Sequence, residues 1–102
     1  MAETEKMGTR AYWRSKFLEL KDRINILVSV SEELEQKILR QMEEFYRMDD
    51  PIEREQMIRP QLQNSMRRRD ELAEELAEAQ TKLTEFLENA GQEGALPEWF
   101  QP

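Results

Sequence analysis

The sequence predicts an all-α protein, a long antiparallel helical hairpin of coiled-coil type. Three observations predict it. Apolar residues recur twice on an alternating three-and-four spacing, the seam of a helix packed lengthwise against another helix. An Asp49-Asp50-Pro51 corner separates the two runs. The composition, 36% charged and 38% hydrophobic with three glycines in 102 residues, suits long solvated helices better than a compact core.

Residues 1–8 are polar and without period, which reads as a frayed lead-in. Thr9 is a candidate cap for a first helix over about 9–48. Setting Phe17 at heptad position a places Leu20 at d, then Ile24, Leu27, Ser31, Leu34, Ile38, Gln41 and Phe45 alternately. Trp13 and Met48 extend the d series at its ends. Ser31 and Gln41 are polar members of an otherwise apolar seam. Such residues are either satisfied near solvent or used to set register and partner choice.

The corner at residues 49–50 stops one helix and starts the next. Proline suits the first helical position, because the amide it lacks would have no partner there. Asp50 can cap, Glu53 stands where a capping-box acid belongs, and both carboxylates favour the positive end of the helix dipole. So short a connection makes the helices antiparallel neighbours.

The second helix is expected over about 51–90, with a kink near Pro60, which removes a backbone bond. Its seam reads Ile58, Leu62, Ser65, Arg69, Leu72, Leu76, Ala79, Leu83, Phe86 and Ala90. Folding about Asp50 sets Phe17 near Leu83, Ile24 near Leu76 and Ile38 near Leu62. Ser31 then falls near Arg69 and Ser65, a polar layer at mid-hairpin. Gly91 follows the last periodic residue and reads as the helix stop. Residues 91–102 form a tail in which Leu96, Trp99 and Phe100 are the apolar anchors. They either fold back as a lid on Tyr12, Trp13 and Phe17 or serve as a docking peptide for a partner.

Each helix spans on the order of 55–60 Å, and two such rods touch along a single line. The flank beside the seam is nonetheless apolar: Val28 and Met42 on the first helix, Met66, Ala73 and Leu87 on the second. Ile26 and Val30 widen the arc further. Leaving so many such side chains wet is unusual for a soluble protein. Self-association is therefore expected, a homodimer forming a four-helix bundle through Leu20, Ile24, Leu27, Val28, Val30, Met42, Met66, Ala73 and Leu87.

Charge and residue types narrow the function classes. A net charge of -7 and a pI near 4.7 argue against nucleic acid and against anionic membranes as partners. The one basic run, Arg67-Arg68-Arg69, can pair with Asp70, Glu71 and Glu74 at helical spacing. The longest apolar run, Ile26-Leu27-Val28, is too short for a bilayer, and the charged first residues carry no secretory signal. Cysteine is absent, and a cytoplasmic site is the simplest expectation. Histidine, a glycine-rich phosphate loop and a nucleophile elbow are absent too, so neither catalysis nor a cofactor or metal is expected. In length, acidity and helix–Asp-Pro–helix plan, the chain resembles the small A-type tubulin-folding cofactor and prefoldin-style hairpins. That resemblance implies architecture alone and transfers no functional residue. The expected function is a non-catalytic adaptor or assembly subunit that binds protein. The alternative is a small helical chaperone or secretion-type helper that shields an apolar client segment.

Overall fold

A computed structural model describes residues 9–101. The lead-in at 1–8 and Pro102 lie outside the described residues. Among the described residues the chain is all-α, with two long helices and no strand. Helix α1 is Arg10–Arg47, and α2 is a single turn, Pro51–Glu53. A π-helical turn, Arg54–Ile58, leads into α3, Arg59–Gln92, and a 3-10 turn, Pro97–Phe100, follows. No described helix is long and apolar enough to cross a membrane.

Local chemistry explains the boundaries. Thr9 caps α1: its hydroxyl accepts from the Tyr12 N–H at 3.1 Å and its carbonyl from the Trp13 N–H at 3.1 Å. At the corner, Asp50 is extended and its carboxylate accepts from the Ile52 N–H at 3.0 Å. The expected capping box would have bonded Glu53. The short aspartate side chain closes an Asx-type turn one residue sooner.

Pro60 is absorbed by the turn before it. In an α-helix its ring would crowd the Gln56 carbonyl and leave that carbonyl without a donor. The chain instead widens over Arg54–Ile58, and the Arg59 N–H reaches back five residues to the Arg54 carbonyl. Pro60 then stands in the first turn of α3, where a missing amide costs little. The expected kink is thus a π turn upstream of the proline.

The helix stop is also displaced. Gly91 is still helical, and the left-handed residue is Gly94, at φ 92°. The Ala95 N–H bonds the Ala90 carbonyl at 2.8 Å and the Gly94 N–H bonds the Gly91 carbonyl at 3.2 Å. This is a Schellman cap, with its apolar contact between Ala90 and Ala95. Only a glycine takes that φ without strain, which is why the helix runs on to Gln92.

The chain divides into two compact units, residues 1–26 with 77–102, and residues 27–76. The first is organised on Trp13, Ala90 and Ala95, with Tyr12, Phe86, Trp99 and Phe100 packed around them. In the second, Leu27, Ile38, Ile58 and Leu72 are buried aliphatics and Ser65 is a buried hydroxyl residue. Every position on the two heptad seams is buried or half-buried.

Candidate interaction site

In the unit of residues 1–26 and 77–102, the 3-10 turn carries the C-terminal residues onto the start of α1. Phe100 packs on Phe17 with ring centroids 5.2 Å apart and meets Phe86 edge-on at 5.9 Å. Trp13 lies between Tyr12, at 5.3 Å, and Phe86, at 5.6 Å. Offset and edge contacts of this kind are the favoured aromatic geometries. Arg14 ties the backbone down: one guanidinium nitrogen donates to the carbonyls of Trp99 and Gln101, both at 2.8 Å. Trp13 is 2% exposed, and its indole N–H has no acceptor among the described residues. Beside Phe100 an open apolar groove of about 440 Å³ remains, walled by Phe17, Leu87, Ala95 and Pro97 above Gly91.

In the unit of residues 27–76 the seam is more polar. Ser65 is buried, and the side-chain oxygen of Gln41 is buried without a donor among the described residues. Both line a cleft of about 350 Å³ with Lys37, Gln61, Asn64 and Arg68. Arg69 reaches Glu35 at 3.9 Å and Asp70 at 3.8 Å. Arg68 pairs with Glu71 and Glu75, both at 3.1 Å, and Arg67 bonds Asn64 at 3.2 Å. Near the corner, the Arg59 and Arg54 guanidinium groups stand 4.9 and 5.8 Å from the Phe45 ring centroid. Arg59 also forms a two-pronged ion pair with Glu55. The hydrogen bond from Arg59 holds the Glu55 carboxyl below the ordinary range, and its counterpart raises Arg59.

No protein-family model, curated protein or solved structure matches this chain.

The sequence-derived residues therefore sort by burial. Ile24 and Leu27, named for self-association, are buried within the chain, because they occupy seam positions that face inward. They are removed from that surface. Leu20, Met42 and Met66 are half-buried, while Val28, Val30, Ala73 and Leu87 stay exposed. Of the three tail anchors, Trp99 and Phe100 are half-buried on their own chain, and Leu96 is 47% exposed. In the polar layer Ser65 is buried, Ser31 and Arg69 are half-buried, and the partner of Arg69 across the seam is Glu35.

Two contacts, those of Arg14 and Glu35, are not legible in the sequence. Arg14 sits one residue past Trp13, and nothing in the pattern of α1 marks it as the tail's anchor. Glu35 follows Leu34 at a flanking position, where an acid reads as ordinary solvent cover. Its only signal is the arginine placed at a core position of the second seam.

Proposed function

We propose that this chain is a non-catalytic interaction module, a cytoplasmic adaptor or assembly subunit that works as a homodimer. In this reading α1 and α3 fold as an antiparallel hairpin, and two hairpins join as a four-helix bundle. The single observation carrying it is the contrast between seam and flank. The seam residues are buried or half-buried, whereas Val28 and Leu87 are each 37% exposed, Val30 39% and Ile26 57%. Complete burial of an exposed side chain of this class is worth about 1.5–3 kcal/mol, and a second copy would supply the fraction of it that these partly exposed residues have left to gain. Like charge opposes the pairing: with a net charge of -7 on each chain, added salt should tighten the dimer.

Sedimentation equilibrium over the micromolar range tests the proposal. A dimer is expected, and Val28→Glu combined with Ala73→Glu should return it to monomer with helicity intact. A wild-type chain that stays monomeric up to ~100 μM, a range well above that of stable dimers, defeats the reading.

Met42 and Met66, half-buried on the same flank, favour a second reading, since methionine adapts to varied apolar surfaces. A helper that shields an apolar client would be a monomer that binds hydrophobic dye and releases it when client is added. A dimer that excludes dye supports the adaptor.

A further inference from the structure

The C-terminal turn occupies its seat without filling it. Phe100 is held by Phe17 and Phe86, and the backbone is held by Arg14 through the Trp99 and Gln101 carbonyls. Yet Leu96, Pro97 and Glu98 remain exposed, Trp99 is half-buried, and the apolar groove of about 440 Å³ stays open beside Phe100. Two further features of the seat suit an occupant other than this turn. Among the described residues the Trp13 indole N–H is buried without an acceptor, a state that favours any replacement able to supply one. Gly91, beneath the groove, is helical, and a Cβ there would meet nothing within 4 Å. Neither its backbone angles nor its neighbours call for glycine, which weakens a helix. A side chain there would take up part of the groove that Gly91 lines.

The geometry points to a peptide-binding site at this end of the chain, with the C-terminal turn as its built-in competitor. The ligand is a short segment of another protein: a proline followed within one 3-10 turn by two aromatic residues, plus a bulky apolar side chain for the groove. The turn now seated there supplies the argument, because it displays the chemistry that the seat accepts. An aromatic ring goes against Phe17 and Phe86, and two main-chain acceptors two residues apart go to Arg14. A second copy's tail is disfavoured on physical grounds. It brings only the contacts already made within the chain, where a short tether gives an effective concentration near millimolar. A partner that also fills the groove and satisfies Trp13 brings contacts that the tail lacks.

The inference rests on the interaction-module reading only for its biological use. A chain found monomeric would leave it standing, and a dimer that binds no peptide would sink it alone. The probe is a fluorescently labelled synthetic peptide of residues 94–102, followed by anisotropy against the full-length chain. Trp99→Ala with Phe100→Ala empties the seat, and this variant should bind the peptide at least ten-fold tighter than wild type, with a Kd at or below ~0.1 mM, the value at which a tethered competitor near millimolar weakens binding ten-fold. Adding Arg14→Ala should cost at least ten-fold. Equal binding to wild type and the emptied variant, no saturable binding up to ~1 mM, or indifference to Arg14 would overturn the site. Should the double variant lose helicity, Phe100→Ala alone carries the same comparison, with the same expected order. If unlabelled wild-type chain displaces the peptide as well as unlabelled peptide does, the occupant is a second copy and the proposed partner is wrong.

Discussion

The two units solve one packing problem in different ways. Both are built on the same heptad period, but residues 1–26 and 77–102 set large rings against very small partners. Trp13 lies with Ala90 and Ala95, both fully or nearly fully buried, and four more aromatic residues close around them. Residues 27–76 instead use side chains of similar size, Leu27, Ile38, Ile58 and Leu72, and admit Ser65 and Gln41 to the seam. Alternating large and small residues interdigitates and fixes one arrangement. A row of similar aliphatics does not, and polar seam residues give up stability for a defined register. The aromatic unit should therefore owe its stability to a few residues, and the aliphatic unit to many.

The largest expected effect tests that contrast directly. Trp13→Ala removes the ring around which its unit is built and should cost about 3–5 kcal/mol, while Leu72→Ala should fall in the range of about 2–5 kcal/mol. Urea denaturation followed by far-UV dichroism gives both values. Near-UV dichroism should collapse in Trp13→Ala and change little in Leu72→Ala, because the aromatic contacts are concentrated in one unit. A Trp13 variant no weaker than the Leu72 variant would break the comparison.

Smaller but sharper is the pair of glycines at the end of α3. Gly94→Ala forces a Cβ into the left-handed region and should cost about 1–2 kcal/mol. Gly91→Ala meets no atom and should gain up to about 1 kcal/mol. Opposite signs three residues apart, read from thermal unfolding midpoints, would place the cap at Gly94. A loss at Gly91 with none at Gly94 would return it to Gly91, as the periodic pattern alone suggests.

How much of this was legible in the sequence follows from which interactions are periodic. The seams were legible because helical spacing is a repeated signal: Trp13, Ile38, Leu72 and Ala90 each lie where the period puts them. The cap at Thr9 and the stop at Asp50-Pro51 were legible because their side chains act on the backbone within three residues. The displaced stop was not, since the period points to Gly91 and only the backbone shows that the positive φ belongs to Gly94. Nor was the π turn, because a proline announces only that the ladder must be broken nearby, not on which side the chain will adjust. The site at the aromatic end was half legible. Trp99 and Phe100 advertised themselves by composition, but Arg14 acts through carbonyls more than eighty positions away, and no local pattern encodes a contact that long.

The smallest effect concerns charge at the corner of the aliphatic unit. Glu55 is held below the ordinary carboxylate range chiefly by its hydrogen bond from Arg59. A carboxylate whose value is lower in the folded chain adds stability above its unfolded value, and that contribution is lost as pH falls through the lowered one. The raised value of Arg59 acts in the opposite sense, with stability lost only as pH rises through a range beyond practical use. Both groups are solvent-exposed, so screening keeps the pair weak. Carbon-detected titration of Glu55 should show a depressed midpoint that moves up toward the ordinary range in Arg59→Gln and with added salt. The same substitution frees the Phe45 ring from one of its two cations. If the Glu55 midpoint stays depressed without Arg59, then Arg54, 3.6 Å from the same carboxylate, is its principal partner, and the corner is held by the other arginine.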